Sequence, residues 1–327
     1  MNVKVGTFNL RNLFSQYNFK AKIDEIIKAD GGVLEAKVEY LFEADSNLIK
    51  LRTFMGSLVK EKNPDDVKKI AERINRMDVD VLALQEVEDL DTLFNFNREK
   101  LDYRYKYKIL VEGNDPRLID IAVLSKLPIG GITSWKHAVH PKEPGIDVFG
   151  RDLLEVEILN PTRKKTLFKI FNNHLKSHYV DWRRERAAAK RKNDERRTSQ
   201  AEMIARIVKE RTRPNSSFII LGDMNDPPDS PCLKPFTKDP ELNLTDALSN
   251  PKETRPAKAD KYPPASKAWT HRYKPSGKPT KYELYDQIWL SPKLASKQVD
   301  AWIDRREYHS GDGSDHDPAW ITLDLDL

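Results

Sequence analysis

One short stretch, a buried strand that ends in a glycine and small polar residues, constrains this chain more than any other. Phe218 to Leu221 is an apolar run typical of a buried strand, and Gly222 allows the backbone to turn directly after it. Asp223 and Asn225 then place a carboxylate and a carboxamide side by side at the strand end. Such a pair can align a water molecule and hold a phosphoryl oxygen. An Asx-rich turn that only caps a strand has the same sequence.

Polar residues of the same chemical kind recur next to other apolar runs. They are Asn9, Glu86, His174, Asp286, Asp315 and His316. If the predicted strands share a sheet, these side chains gather at one rim of it. Carboxylate and amide oxygens favour Mg²⁺, Mn²⁺ or Ca²⁺ over zinc. A metal beside imidazoles and an aligned water is the apparatus that hydrolyses a phosphate ester.

Composition excludes several classes of protein. The 327 residues are 39% apolar, and no run approaches the ~18 apolar residues of a membrane helix. Cys232 is the only cysteine, which excludes a disulfide framework and a cysteine metal site. The chain runs from Met1 straight into a strand-like segment without a secretory signal, so we expect a cytoplasmic protein with no membrane span. We expect a monomer, and the sequence indicates no protein partner.

The net charge of +5 is concentrated in one basic segment. Arg183 to Arg197 carries eight basic residues against three acidic ones, an excess equal to the net charge of the whole chain. This stretch belongs to a predicted basic segment near 178–197, which leads into an amphipathic helix. Such a patch suits a polyanion such as nucleic acid, and a solvated helix face would have the same composition.

Strand patterns recur from Val3 to Leu323 without a clear linker, which predicts one α/β domain over residues 1–327. Near 15–62, apolar residues at helical intervals predict a helical insertion. Residues 251–283 hold six prolines, with aromatic residues among basic ones, and predict an irregular, Pro-rich basic loop.

Six short motifs follow one another in the order typical of the endonuclease/exonuclease/phosphatase superfamily. They are Phe8-Asn9-Leu10-Arg11, Leu84-Gln85-Glu86-Val87, Asn173-His174-Leu175, Gly222-Asp223-Met224-Asn225, Tyr285-Asp286-Gln287-Ile288 and Ser314-Asp315-His316. Each alone is weak, but together they are specific and span nearly the whole chain. The chain therefore resembles this superfamily, which includes deoxyribonuclease I, abasic-site endonucleases, neutral sphingomyelinases and inositol polyphosphate phosphatases. The resemblance implies a four-layer α/β/β/α sandwich of two mixed β-sheets with outer helices.

The resemblance also implies the metal site and the groups that act on water and phosphate. Glu86 resembles the metal-ligating glutamate, with Asn9 nearby and Asp315 as a second metal-side carboxylate. Mg²⁺ is the expected ion, with Mn²⁺ or Ca²⁺ as alternatives. Asp223 resembles the residue that orients or deprotonates the attacking water, and Asn225 resembles the amide that holds the phosphate.

Two histidines and their partners complete the implied catalytic set. His174 and His316 resemble the pair at the scissile phosphate, and Asp286 would pair with His316. Arg151 stands where deoxyribonuclease I has a phosphate-contacting arginine, and Asp120 lies where an acidic partner for His174 is expected. The residues expected to bind substrate are Arg11, Lys176, Arg183 and Arg184.

The branch of the superfamily decides the expected substrate. Abasic-site endonucleases have an aspartate where this chain has Arg11, which favours the deoxyribonuclease I branch. We therefore expect a divalent-metal-dependent phosphodiesterase that hydrolyses nucleic acid, as a nuclease and most simply an endonuclease. The alternatives are a phospholipid or inositol-phosphate hydrolase of sphingomyelinase type, and a catalytically silent nucleic-acid-binding module. The first shares the histidine pair, and the second need not keep residues such as Glu86 and Asp223.

Overall fold

A computed structural model describes the chain except for residues 15–18, 31–32, 43–61, 116, 118, 181–184, 310 and 326–327, and for 19–30 and 33–42 it describes the backbone alone. The chain divides into two compact units, residues 1–13 with 64–327, and residues 14–63. The larger unit carries every motif named above.

The regular elements are numbered in chain order. The strands are β1 (Asn2–Leu13), β2 (Phe19–Asp30), β3 (Val33–Phe42), β4 (Val81–Val87), β5 (Tyr107–Leu110), β6 (Asp120–Ser125), β7 (Ile129–Ser134), β8 (Leu153–Leu159), β9 (Thr166–His174), β10 (Phe218–Asp223), β11 (Thr245–Asp246), β12 (Lys252–Glu253), β13 (His271–Tyr273), β14 (Lys281–Glu283), β15 (Asp286–Leu290), β16 (Gln298–Ile303) and β17 (Ala319–Asp324). The helices are α1 (Pro64–Met77), α2 (Leu90–Glu99), α3 (Arg186–Arg211), α4 (Lys234–Thr237) and α5 (Pro292–Ala295), with a 3₁₀ turn at Pro231–Leu233.

Two mixed β-sheets form the framework of the larger unit. The strand order is β12-β16-β17-β1-β4-β6-β5 in the first sheet and β11-β15-β10-β9-β8-β7 in the second. β1 runs parallel to β4, and β10 runs parallel to β9. β17, the other neighbour of β1, runs antiparallel to it, and so does β15, the other neighbour of β10. Each sheet therefore brings the carboxyl ends of two central strands to one edge.

Apolar side chains hold the layers together. One buried cluster contains Val5 of the first sheet and Ile219 of the second, so the two sheets face each other. Ile70 of α1 belongs to a cluster on the outer face of the first sheet, and Ile204 of α3 belongs to one on the outer face of the second. The order is helix, sheet, sheet, helix, and the predicted four-layer α/β/β/α sandwich is confirmed.

A buried polar bridge also joins the two sheets. Gln85 Nε2 donates to Asn172 Oδ1 at 2.9 Å, and Thr7 Oγ1 donates to Gln85 Oε1 at 3.3 Å. Asn172 Nδ2 in turn donates to the carbonyls of Leu84 and Ala122, at 3.2 and 2.9 Å. Leaving one such buried group unpaired costs about 1–3 kcal/mol. The bridge therefore favours one alignment of the sheets over alternatives that are equally apolar.

The predicted helical character near 15–62 is wrong for the residues whose backbone is described. β2 and β3 pair as an antiparallel hairpin, with register shifts between Ile23 and Glu25 and between Ile26 and Lys28. Each shift adds a residue to one strand, which breaks the period of two and produces spacings close to those of a helix. The apolar spacing at 48–59 lies outside the described residues. The predicted insertion boundaries nearly coincide with the smaller unit, 14–63.

The Pro-rich region 251–283 is more ordered than the predicted irregular loop. It contains β12, and β13 pairs with β14 as a hairpin. Trp269 is buried beneath the guanidinium of Arg305, whose central carbon lies 3.8 Å from the ring centroid. Asp260 forms an ion pair with Arg272 of β13. These contacts fix a segment that its proline content alone marks as irregular. Across the part of the chain that the structure describes, no helix is both long and apolar enough to cross a bilayer.

Candidate active site

The strand ends converge on the carboxylate of Asp223. Asn9 Nδ2 donates to Asp223 Oδ2 at 2.8 Å. The Nε2 atoms of His174 and His316 lie 3.5 and 3.9 Å from the same oxygen. Glu86 Oε1 lies 4.0 Å from His174 Nε2. Together with Asp286, which contacts His316, these residues form what we call the rim cluster: Asn9, Glu86, His174, Asp223, Asp286 and His316.

Four of the nine non-glycine residues with positive φ in the described part of the chain lie at the rim. Arg11, Asn12, Glu86 and Asn225 have positive φ angles of 48°, 61°, 62° and 51°. The pairing of β1 with β4 shifts register after Asn9, and that of β4 with β6 shifts between Gln85 and Val87. Bulges of this kind re-aim side chains at a sheet edge, and left-handed non-glycine residues are typical of functional sites.

Gly222 is required by the close approach of two strands. Its φ is 135°, and a Cβ atom there would lie 2.0 Å from the carbonyl oxygen of Asn173 on β9. No other residue fits at this position without moving the backbone. The glycine therefore lets Asp223 and His174 stand side by side, paired in register at the ends of β10 and β9.

His316 carries a positive charge. Its Nδ1 lies 2.7 Å from Asp286 Oδ2. Burial opposes the charge, but the carboxylates of Asp286 and Asp223 outweigh burial and raise the pKa of His316 to about 10. An imidazolium held in this way can neutralise negative charge on a phosphoryl group.

His174 is neutral, in contrast to His316. Burial, and then the charges of Arg151 and His316, hold the pKa of His174 well below its usual range. The predicted pairing of His174 with Asp120 is wrong in the structure. Asp120 Oδ1 accepts the N–H of Gly113 at 2.8 Å, and His174 Nδ1 has no partner among the described residues. Burial raises the pKa of Asp120 to about 7, so this carboxyl is a poor partner for an imidazole cation.

Asp223 has the environment of a general base. Its Oδ1 accepts the N–H of Asn225 at 2.8 Å, and its Oδ2 accepts from Asn9. Burial raises the pKa of the Asp223 carboxyl against the opposing charge of His316. A carboxylate with a raised pKa binds a proton more readily from an attacking water. Asn225 Nδ2 donates to the Leu175 carbonyl at 3.1 Å, which fixes the amide at the rim.

The surroundings of Glu86 fit a hard divalent cation. Burial raises the pKa of the Glu86 carboxyl, and the charges of Asp223 and Asp315 raise it further, against those of His316 and Arg151. Glu86 Oε2 accepts the backbone N–H of Asn12 at 3.0 Å. Carboxylates crowded in this way are stabilised by a divalent metal ion, and all the donors are oxygens. Glu86, Asn9 and Asp315 would hold it.

A second group of possible ligands lies deeper. Among the described residues, Asp223, Asp286 and His316 present ligand atoms that all lie within 4.8 Å of one another. This group could therefore hold a metal ion. Without one, His316 Nδ1 lies 2.7 Å from Asp286 Oδ2, which suits the group to proton and charge chemistry as well.

The loop that carries His316 is anchored to both α1 and β1. Arg73 of α1 is fully buried and donates to the His316 carbonyl at 3.2 Å and to Asp317 Oδ1 at 2.9 Å. Ser314 Oγ donates to the Asn9 carbonyl at 2.7 Å and accepts the N–H of His316 at 3.0 Å. His316 is thus held from two sides before any substrate binds.

Arg151 lies beside the segment that carries His174. It is buried, with only 3% of its surface exposed, and its Nη1 donates to the Leu175 carbonyl at 3.3 Å. Its Nε lies 3.1 Å from Asp115 Oδ2. Its exposed fraction is close to that of His174, 4%, so contact with a phosphate stays a prediction. It contributes positive charge and supports the segment that carries His174.

The predicted substrate-binding residues have mixed outcomes. Lys176 is half-buried beside the rim, and Arg11 Nε lies 3.6 Å from Asp315 Oδ1 at the exposed edge of the site. Arg183 and Arg184 lie outside the described residues.

The basic segment divides between the core and the surface. Arg197 is fully buried and donates to Asp226 Oδ2 at 2.8 Å and to the Lys176 carbonyl at 2.7 Å, so it anchors α3 rather than facing a ligand. The basic side chains that remain exposed are spread around the first two turns of α3, and we call this exposed surface the α3 basic face: Arg186, Lys190, Arg191 and Lys192.

His271 lies at the site although its sequence context marks it only as a structural histidine. Its ring centroid is 5.0 Å from that of His316 and 5.0 Å from that of Tyr285, the latter nearly parallel at 14°. Burial, and then the charge of His316, lower the pKa of His271 to about 4, so it stays neutral beside the imidazolium. The residue lies in the Pro-rich region without a motif, and no sequence signal identifies it.

Comparison with known proteins places these observations in a family. The model of the endonuclease/exonuclease/phosphatase family matches residues 7–316. The chain belongs to this family. Members of the endonuclease/exonuclease/phosphatase family are phosphoester hydrolases that depend on a divalent metal ion. The predicted resemblance is confirmed, and the rim cluster has the residue types for phosphoester chemistry.

Solved structures share the fold of the family over the whole chain. The endonuclease/exonuclease/phosphatase from Bacteroides vulgatus superposes with a TM-score of 0.59 at 14% identity, covering 100% of both chains. Truncated TDP2 from Caenorhabditis elegans gives 0.54 at 16% identity, covering 99% of this chain and 98% of its own. The mannosyl-6-phosphatase Bt3783 of Bacteroides thetaiotaomicron gives 0.55 at 16% identity, covering 99% and 100%. No curated protein sequence matches the chain at a significant level.

Proposed function

We propose that the chain is a divalent-metal-dependent phosphodiesterase that hydrolyses nucleic acid, with Mg²⁺ as its expected ion. The observation that carries this proposal is the convergence of Asn9, His174 and His316 on the buried Asp223 carboxylate, with Glu86 beside them. This arrangement joins a base, a fixed positive charge and an oxygen-rich cation site within one rim.

The hydrolytic step follows from the protonation states. Asp223 accepts a proton from the attacking water as the new P–O bond forms and the bond to the leaving oxygen breaks. In-line displacement puts the attacking and leaving oxygens on opposite sides of phosphorus. His316 Nε2 lies 3.9 Å from the base, which suits it to the phosphoryl oxygens rather than to the leaving oxygen. Solvent then supplies the proton to the leaving oxygen.

The remaining groups orient the phosphate. The neutral His174 and the Asn225 amide can donate hydrogen bonds to it, and Asn9 holds Asp223 at the rim. A divalent ion held by Glu86 would supply Lewis-acid stabilisation of the phosphoryl charge. Removing one such charge-stabilising contact typically lowers turnover by about 10²–10³.

The α3 basic face supports nucleic acid as the substrate. Arg186, Lys190, Arg191 and Lys192 are exposed within two turns of α3, and Arg197 of the same helix ties it to Asp226, three residues after Asp223. A cationic helix fixed to the active-site loop suits a long phosphate backbone. A small sugar phosphate, as in the name of the Bacteroides mannosyl-6-phosphatase, does not require such a surface.

A substrate panel tests the proposal. Plasmid DNA, single-stranded RNA, sphingomyelin, inositol phosphates and mannose 6-phosphate are each incubated with the protein, with and without Mg²⁺. We expect hydrolysis of a nucleic acid at the highest kcat/KM, and none without the metal. Faster hydrolysis of sphingomyelin, an inositol phosphate or mannose 6-phosphate would contradict nucleic acid as the substrate. It would still agree with metal-dependent phosphoester hydrolysis. Hydrolysis of none of them would favour a silent binding module.

A further inference from the structure

A group of cations lies beside the rim cluster. We call Arg117, Arg151 and Lys176 the flanking cations. Arg151 Nε lies 3.1 Å from Asp115 Oδ2. Arg117 donates to both oxygens of the same carboxylate, from Nε at 3.0 Å and from Nη2 at 2.8 Å. Arg151 also donates to the Leu175 carbonyl, directly before Lys176.

The flanking cations carry more positive charge than their partners neutralise. Among the described residues, Asp115 is the carboxylate that pairs with both arginines, and Lys176 Nζ donates only to the Ser177 carbonyl, at 3.3 Å. Burial, and then the charges of Arg151 and Arg117, lower the pKa of Lys176 to about 8. This is the behaviour of like charges held close together. An anion bound among them would relieve that repulsion.

The flanking cations also lie next to the reaction centre. Arg151 Nη1 and Asn225 Nδ2 both donate to the carbonyl of Leu175, at 3.3 and 3.1 Å, and Leu175 joins His174 to Lys176. Arg151 is buried, but the side chain of Arg117 is 57% exposed and Lys176 is half-buried, so two of the three can reach a ligand. Lys and Arg side chains in this arrangement are suited to a phosphate group.

We propose that Arg117 and Lys176, with the buried Arg151 behind them, form a second phosphate subsite. It binds the phosphate next to the scissile one on the same chain. The inference rests on the proposed phosphodiesterase function and deepens it. It makes the preferred substrate a chain with at least two neighbouring phosphates rather than an isolated diester.

Calorimetry with small nucleotides tests the subsite directly. Thymidine 3′,5′-bisphosphate and the 3′- and 5′-monophosphates are titrated into the full chain in Mg²⁺. We expect the bisphosphate to bind at least about tenfold more tightly than either monophosphate, because a second charge-assisted contact forms. Lys176→Gln and Arg117→Gln should remove most of that preference. Lys176→Arg, which retains the positive charge, should keep it. Lys164→Gln, in the exposed turn at the other end of β9, is the matched control.

Three outcomes decide the inference and keep it separate from the proposed function. Equal affinity for bisphosphate and monophosphates in the wild type would overturn the subsite. Equal weakening of all three ligands in the two glutamine variants would also overturn it, because the residues would then act at the scissile phosphate or on the fold.

Kinetics supplies the third outcome. The wild type should hydrolyse the trinucleotide TpTpT at a lower KM than the dinucleotide TpT, and Lys176→Gln should abolish the difference. Identical KM values for the two in the wild type would overturn the subsite while the phosphodiesterase proposal stands. A bisphosphate preference without hydrolysis of any diester would support the subsite and contradict the proposed function.

Discussion

Two histidines of the same chemistry carry different charges at the rim. His316 contacts Asp286 and lies near Asp223, and its pKa rises to about 10. His174 lies beside the same Asp223 but is fully enclosed with Arg151 and His316 as neighbours, and its pKa falls. Environments that separate the pKa values of paired groups in this way assign them different roles. His316 supplies a fixed charge, and His174 supplies a neutral hydrogen bond.

Asp286→Asn tests the role of the charge on His316. The variant keeps the shape of the side chain but removes the carboxylate that stabilises the imidazolium, so kcat should fall by about 10²–10³ with little change in KM. Steady-state kinetics on bis(4-nitrophenyl) phosphate measures this. Asp300→Asn, on β16, is the matched control. A kcat within about threefold of the wild type would show that the charge on His316 is not used.

Sequence reasoning finds the rim residues that local patterns encode. Glu86, His174 and Asp223 each lie two or three residues after the end of an apolar run, so strand-end placement predicts that they gather. The partner of His174, the burial of Arg151 and the position of His271 depend on segments that meet only in the folded chain. No spacing within the sequence carries that information, and the Asp120 assignment is wrong for this reason.

At the scale of elements, α3 has one half that packs against a sheet and one half that is largely exposed. Its carboxyl-terminal half packs apolar residues such as Ile204 and Val208 against the second sheet, and its amino-terminal half is largely exposed. Arg197 marks the transition, because it is buried and pairs with Asp226 in the loop after β10. Burial opposes ionisation of Asp226, but hydrogen bonds and charge from His178 and Arg197 outweigh it and lower its pKa to about 2.

This pair should make stability depend on pH. The Asp226 carboxyl has a lower pKa in the folded state than its ordinary 3.8, so its contribution is present above pH 3.8 and is lost as the pH falls toward 2. The shift corresponds to roughly 2 kcal/mol. Urea unfolding of the wild type and of Asp226→Asn from pH 7 to pH 2.5 measures it. The difference in unfolding free energy between the two proteins should shrink below pH 4, and a constant difference would contradict the assignment.

The polar bridge between the sheets makes a second prediction at this scale. Gln85→Leu leaves Asn172 Oδ1 without its partner and should lower the free energy of unfolding by about 1–3 kcal/mol. Asn172→Leu should cost less in the Gln85→Leu background than in the wild type, because the shared hydrogen bond is already gone. Urea denaturation of the four proteins gives the coupling energy. Simple additivity would show that the bridge does not couple the sheets.

The strand elements themselves are predicted with uneven success. β10 is read correctly because four buried apolar residues form a continuous run that is followed by glycine and aspartate. β2 is misread because two bulges on that strand disturb its period of two, and β3 is misread with it. The sandwich follows from the family motifs, since the pairing of distant strands such as β1 with β17 leaves no local signal.

At the scale of the whole molecule, the two sheets place chemistry at one rim and α3 extends positive charge from it. The α3 basic face should make binding of duplex DNA depend on salt, with a log–log slope of roughly −0.9 for each phosphate neutralised. Changing Arg186, Lys190, Arg191 and Lys192 to glutamine should flatten that slope and raise KM on long DNA. Four exposed lysines on other elements, Lys100, Lys106, Lys164 and Lys293, changed to glutamine together are the control. An unchanged slope would mean that this face is only solvated.

The most direct test of the account is the rate of phosphodiester cleavage in a labelled oligonucleotide, measured for the wild type and Asp223→Asn, with Mg²⁺ and with EDTA. We predict cleavage by the wild type in Mg²⁺ and background rates in EDTA. Asp223→Asn should be slower by about 10²–10³ with its fold intact. Glu86→Gln should need more Mg²⁺ to reach half its maximal rate. Cleavage that persists in EDTA, or an Asp223→Asn rate within about threefold of the wild type, would contradict a metal-dependent hydrolytic site built on the rim cluster.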